Sequence, residues 1–431
     1  MNNFIKSFKE KINSSLGKDI GLTLTSQLLI MIIAFGVNKI LSNSLGVEGY
    51  GQYSIIKRSS AVLSFVMLSG MGIALPRYLS GYITMNDKKR AKSTVFSSLL
   101  IISFVSFLVI LACYLMKDIL GVLITGVNNN QLYFFAVLYA YSLALCSLLY
   151  AYYRGSGKFI LFSVSQTVIQ VIILIGVILF GKDLVLVLKL WTIAPLIYVL
   201  ISVVNELKNN NLYKDNFLSW KTHIIPQVKT LSNYGFPRLI GDFLLFSLAA
   251  FPLIFISRKL NVESSAYFAV GITITAMVIP LFSFLGMVLL PYVSSAIADN
   301  NFLKADKLIG KLLILYIVMA VLSVIILTFG IDTFIRLFFS KEFLSSSGIS
   351  KILVISILSE SIYLLLRNPI DASSNIPYNT FNLFISFTLM IVLFLFSHTL
   401  KQFAISYLSV SVVKSGLSFI SWQFCRRRLL N

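Results

Sequence analysis

The chain has 431 residues, 57% of them hydrophobic and only 12% charged, against about 25% charged in an ordinary soluble domain. That excludes a water-soluble globule. Its 36 Lys and Arg against 16 Asp and Glu give a formal charge of +20. In a soluble protein this would point to nucleic acid, but here the cations gather in short segments between long apolar runs, so no nucleic-acid partner is expected.

In chain order, a polar, lysine-bearing segment over 1–18 comes first, and no small-residue cleavage site follows it, so no removable signal peptide is expected. Apolar runs then predict helices over 19–42, 51–80, 93–116, 131–153, 159–180, 183–204, 234–257, 264–293, 311–330, 349–371, 377–397 and 402–424. Each is long enough to cross about 30 Å of hydrocarbon at about 1.5 Å per residue. A membrane β-barrel would need alternating segments of about 10 residues, and these runs are continuous. The expected fold is an all-α integral membrane protein of about twelve transmembrane helices.

Cytoplasmic loops are enriched in Lys and Arg. With the N-terminus inside, the inner segments hold 20 of them, including Lys88, Lys89, Arg90, Lys92, Lys304, Lys307 and Arg426 to Arg428, and the outer segments hold 7. Both termini are therefore expected in the cytoplasm, the chain lying in a cell membrane as a multi-pass protein. The longest polar connection lies between two groups of six spans. The expected organisation is a cytoplasmic segment 1–18, a six-helix bundle 19–204, a cytoplasmic linker 205–233, a second bundle 234–424 and a basic tail 425–431.

The halves are related. Sliding the sequence by 215 residues aligns 45–92 with 260–307 without a gap, at ten identities in 48 positions, among them Glu48/Glu263, Pro76/Pro291, Asn86/Asn301 and Lys89/Lys304. Because six is even, the copies keep one orientation, so a pseudo-two-fold axis along the membrane normal is expected. Pro76 and Pro291 interrupt helical runs at equivalent places; each removes a helical hydrogen bond, and they are the expected hinges.

Cations deep in a bilayer cost about 2.5–3.5 kcal/mol on insertion scales and usually face a partner or a wet cavity. By depth the candidates are Lys39, Lys57, Arg58, Arg77 and Arg238, with Asp242 one turn after Arg238 as a candidate ion-pair partner. Glu360 is expected to bridge to Lys414 or Arg367. Lys189 and Lys351 lie near span ends, where their stems reach the interface. The surplus of cations over acids suits an anion such as a phosphate or pyrophosphate.

No catalytic set emerges, so the chain is not expected to be an enzyme or to carry a cofactor or metal. His223 and His398 fall on opposite membrane faces in this topology. Cys113, Cys146 and Cys425 have neither disulfide nor zinc spacing. Gly155-Ser156-Gly157-Lys158 lacks the spacing of a phosphate loop.

Leu45-Gly46-Val47-Glu48-Gly49-Tyr50-Gly51-Gln52-Tyr53 after the first span, and Gly70-Met71-Gly72-Ile73-Ala74-Leu75-Pro76-Arg77-Tyr78 closing the second, resemble motifs of the polysaccharide flippases of the Wzx type. These belong to the multidrug/oligosaccharidyl-lipid/polysaccharide exporter superfamily. The resemblance covers the whole chain in layout; at motif level it covers 45–80 and the repeat at 260–295, where Asn261 and Ser264-Ser265 replace Gly46 and Gly49-Tyr50. It implies a bacterial inner-membrane flippase that moves an undecaprenyl-pyrophosphate-linked oligosaccharide to the outer leaflet by alternating access, in an O-antigen or capsule pathway, alongside a polysaccharide polymerase and chain-length machinery. It also implies that spans one, two, seven and eight line a central cavity. Lys39, Lys57, Arg58, Arg77, Arg238 and Asp242 would then meet the pyrophosphate, while Gln27 and Asn38 would solvate sugars. A cation-coupled drug antiporter of the same superfamily and a non-transporting scaffold in a glycan-assembly complex are the alternatives.

Overall fold

The computed structural model describes residues 15–209, 220–282, 302–374 and 376–430. Among these, every regular element is helical and no strand occurs. Ten helices are long and apolar enough to cross a membrane, or up to twelve when each of two bent pairs counts as one span. The chain is a multi-pass, all-α membrane protein.

The order is α1 (Ser15–Ser44), α2 (Gly46–Leu68), α3 (Met71–Thr84), α4 (Lys88–Leu115), α5 (Lys117–Thr125), α6 (Asn130–Gly155), α7 (Phe159–Phe180) and α8 (Leu184–Asn209). Then come α9 (Ile225–Lys259), α10 (Val262–Ala276), α11 (Phe302–Phe338), α12 (Ser347–Val354), α13 (Ser356–Ser373), α14 (Tyr378–Phe396) and α15 (Leu400–Leu430). Short π-helical and 3-10 segments at Trp220–Ile224 and Lys341–Ser346 precede α9 and α12.

Two compact units emerge: the chain through Leu45 with Ser59–Leu239, and Gly46–Arg58 with the chain from Ile240 onward. This grouping differs from a single cut in the 205–233 connection. Helices α2 and α9 each give their first part to one unit and the remainder to the other. Local packing explains both assignments. In the second unit Tyr50 meets Phe339 and Phe343 at ring distances of 5.7 and 5.2 Å, and a Cβ on Gly51 would fall 2.9 Å from a Val262 methyl. In the first, α9 begins against α3, where a Cβ on Gly70 would overlap the Gly235 carbonyl.

Lipid is as apolar as leucine, so helices in it associate through close packing and internal hydrogen bonds rather than through water exclusion. The burial pattern follows that rule. Phe329 is 88% exposed, whereas Ser60, Ser97, Ser98, Ser361 and Ser386 are wholly buried. In the first unit Ser26 Oγ donates to the Ser163 carbonyl at 3.1 Å, joining α1 to α7. Trp191 Nε1 donates to the Ile173 carbonyl at 2.9 Å, joining α8 to α7. In the second unit Lys259 Nζ, at the end of α9, donates to the carbonyls of Phe394, Leu395 and Ser397 at 2.5–3.3 Å. It thereby adds a donor to the last turn of α14, whose backbone cap is the Ser397 N–H on the Phe394 carbonyl at 3.3 Å.

The expected second span is broken. Helices α2 and α3 meet at 42°, with Ser69 at φ 54° and Gly70 at φ 72°. The bend therefore sits at Ser69-Gly70, before Pro76, which lies inside α3. The left-handed backbone there is a stronger interruption than proline, since two successive residues leave the helical region. Having no N–H, Pro76 leaves the Gly72 carbonyl without its helical donor, and Arg154 Nη2 supplies one at 3.0 Å. Pro291, the expected hinge of span eight, lies outside the described residues. A second bend, of 44°, separates the Lys341–Val354 segment from α13.

Gly70→Ala combines a positive φ with a steric overlap, so it should cost about 1–3 kcal/mol and lower the thermal midpoint of the detergent-purified chain. Gly121→Ala, where a Cβ meets nothing within 4 Å, should move it little; equal shifts would contradict the packing described.

Candidate functional site

In the first unit, the closeness of Gly70 to Gly235 brings the middle of α3 beside the start of α9. Arg77 Nη1 donates to the Tyr234 hydroxyl at 2.6 Å, and its guanidinium carbon lies 4.5 Å from the centre of that ring. Arg238 lies closer still, at 3.7 Å, and its Nη1 donates to the Tyr234 carbonyl at 3.2 Å. Tyr78 meets the same ring edge-on at 5.6 Å. One phenol thus gathers two guanidinium groups through its negative face and its hydroxyl. Both arginines are exposed, and among the described residues neither has a carboxylate within ion-pair distance. Two unneutralised guanidinium groups on one tyrosine carry ten N–H donors between them, two of which go to Tyr234, and the remainder suits a phosphoryl anion.

The expected Arg238–Asp242 pair does not form. Helical side chains lean toward the N-terminus, and Arg238 turns back onto Tyr234, one turn earlier, rather than forward. Asp242 instead pairs with Arg367, Nη2 to Oδ1 at 4.0 Å, within the second unit.

That unit holds a longer polar series. Lys57 Nζ donates to the Tyr53 hydroxyl at 3.0 Å, and Arg58 lies within electrostatic reach of Tyr50, Tyr53 and Tyr407. Neither cation has a carboxylate within ion-pair distance among the described residues. Farther along, Lys414 of α15 pairs with Glu360 of α13 and sits 4.6 Å from the centre of the Tyr363 ring. The bridge expected for Glu360 thus goes to Lys414, not Arg367. Asn379 Nδ2 donates to Asp371 and to the Arg367 carbonyl, both at 2.8 Å. The carboxylates Asp242, Glu360 and Asp371 all have partners, so the exposed positive charge of Lys57 is not matched by free negative charge in this series.

The two side chains expected to solvate sugars both lie in α1. Gln27 Nε2 donates to Gln166 at 2.9 Å, tying α1 to α7, and Asn38 is 4% exposed. Lys39 is half-buried in the same helix. The arrangement rests on Tyr234, Tyr53 and Tyr407, which neither charge nor depth marks in the sequence. The only sequence signal for Tyr234 is its spacing of one helical turn before Arg238.

The model of a family described as polysaccharide biosynthesis protein matches residues 16–297. The chain belongs to that family. Members of the multidrug/oligosaccharidyl-lipid/polysaccharide exporter superfamily share its fold. An inward-facing multidrug-resistance MATE transporter of that superfamily superposes with a TM-score of 0.77 at 11% identity, over 95% of this chain and 98% of that one. A mutant of the Vibrio cholerae MATE transporter VcmN gives 0.68 at 16%, over 97% and 98%. The lipid II flippase MurJ, in an inward closed conformation, gives 0.68 at 15%, over 95% and 87%. No curated protein is matched by the sequence. Polysaccharide-family membership and this fold agree with the resemblance drawn from the motifs at 45–53 and 70–78.

Breaking a buried ion pair from one side strands the other charge, at a cost of about 3–5 kcal/mol, whereas removing both partners costs far less. Glu360→Gln or Lys414→Met alone should therefore lower the thermal midpoint clearly, and the double variant should recover most of the loss. A double variant as unstable as the sum of the singles would show that the pair does not act as one.

Proposed function

We propose that the chain is a flippase that carries an undecaprenyl-pyrophosphate-linked oligosaccharide from the cytoplasmic to the outer leaflet of a bacterial inner membrane, with both termini in the cytoplasm. The observation that carries this reading is the pairing of Arg77 and Arg238 on Tyr234 without a carboxylate counter-ion among the described residues. An enzyme would need a nucleophile or an acid–base set; a transporter needs a place where charge is stabilised and then released. Cations held by an aromatic ring and one hydroxyl suit release, because each such contact at an accessible site is worth only about 0.5–1 kcal/mol. Lys57, whose Nζ donates to the Tyr53 hydroxyl, and Arg58, within electrostatic reach of three tyrosines, give the second unit cations of its own, and Lys39 lies half-buried in α1. Membership of a polysaccharide biosynthesis family and likeness in fold to a lipid II flippase support a lipid-linked glycan as cargo. O-antigen or capsule assembly, with a polymerase and chain-length machinery as partners, is the setting this cargo implies.

The MATE transporters among the structural neighbours favour a second reading, a cation-coupled antiporter. It requires an acid free to exchange a cation, and Asp242, Glu360 and Asp371 are each engaged.

In a deletion strain, Arg77→Gln with Arg238→Gln should abolish surface polysaccharide and raise lipid-linked oligosaccharide in the inner leaflet, with membrane levels of the protein unchanged. Normal export by the double variant would remove the electrostatic reading. Drug hypersensitivity of the deletion strain with intact surface glycan would favour the antiporter.

A further inference from the structure

Two cavities of the first unit adjoin at one tyrosine. The larger, about 340 Å³, is formed mainly by α4, α6 and α8; Leu99, Leu145, Leu148, Val199 and Val203 line it, with Lys92, Tyr152 and Glu206 as its polar members. The smaller, about 260 Å³, lies at the α3–α4 connection and is lined by Asn86, Asp87, Lys88, Ser156 and Lys158, among others. Tyr152 belongs to both. Its hydroxyl donates to Glu206 Oε2 at 2.8 Å, and Lys158 Nζ pairs with the same oxygen at 2.5 Å. An apolar cleft and a polar chamber therefore share a wall of three tied side chains.

We infer that the paired cavities hold one anionic glycerophospholipid, its phosphate-bearing head in the chamber and one acyl chain in the cleft. Three observations select this occupant. First, charge: Lys88 and Lys158 line the chamber and Lys92 the adjoining cleft, against Glu206, which pairs with Lys158, and Asp87, which the Arg90 backbone and guanidinium engage at 3.0 and 3.4 Å, so the lysines lining the two cavities outnumber the acids by one. Second, access: Phe96, Leu99 and Leu207 at the cleft are exposed on the helix surface, where lipid chains lie. Third, position: the site stands on the face of the Lys-rich loops, and basic pockets between transmembrane helices on such a face suit anionic head groups. A chamber of about 260 Å³ fits a phosphate with one glycerol-sized substituent and not a string of sugars, which distinguishes this occupant from the proposed cargo. The inference stands without the flippase reading.

The test is native mass spectrometry of the detergent-purified full chain titrated with phosphatidylglycerol, phosphatidylcholine or undecaprenyl phosphate. One retained phosphatidylglycerol, in preference to phosphatidylcholine, is expected. Lys88→Gln should weaken retention about fivefold, and Lys88→Gln with Lys92→Gln on the order of 25-fold. Leu99→Trp should fill the cleft and abolish retention with the lipid-free thermal midpoint unchanged; Val203→Phe serves the same purpose if that variant does not fold. Equal retention of phosphatidylcholine, or retention that survives cleft filling, would overturn the inference. Stronger retention of undecaprenyl phosphate would overturn the phospholipid assignment and place a cargo lipid there.

Discussion

Hydrocarbon has no hydrogen-bonding partner to offer, so the backbone polar groups of these helices must find theirs within the chain, and polar side chains are drawn inward to do the same. That constraint shapes the fold more than any single contact. It accounts for serines wholly buried between helices, for Lys259 spread over three carbonyls at the end of α14, and for the Lys414–Glu360 pair joining α13 to α15. It also separates the cations into two groups. Lys414 and Arg367 answer to carboxylates and hold helices together; Lys57, Arg77 and Arg238 answer to tyrosines and keep charge available. The first group is neutralised, and the second is positioned without being neutralised, as the proposed ligand role requires.

The architecture was largely legible in the sequence. Spans read from continuous apolar runs have counterparts among the described helices, because a run long enough to cross hydrocarbon leaves the backbone no stable alternative to helix. Side-chain partnerships were much less legible. Arg77 meets Tyr234, a separation of 157 positions, and no local spacing encodes that approach. Where spacing did suggest a partner, as for Arg238 and Asp242, the direction in which helical side chains lean decided otherwise. Nor does any local spacing announce the bond from Gln27 to Gln166, which ties α1 to α7.

The grouping into units was hidden for a related reason. Polar linkers mark where a chain leaves the membrane, not where its contacts change. Gly51 and Gly235, two glycines without distinction in composition, allow backbones to approach closely enough to assign Gly46–Arg58 to one unit and the start of α9 to the other. The motifs at 45–53 and 70–78 now have physical content: Gly46 and Gly70 adopt a left-handed backbone, Tyr50 fills an aromatic cluster, and Arg77 reaches a phenol.

The carbonyl that Pro76 leaves vacant changes the character of the bend nearby. A proline in a membrane helix usually loosens it, but here the liberated acceptor recruits Arg154 from the end of α6, and Gly155 brings that end against the proline itself. The defect becomes a fastening. Swivelling about Ser69-Gly70 must then carry α6 along or first unlatch the guanidinium, so the two motions cannot be varied independently and the first unit travels as a block at that corner.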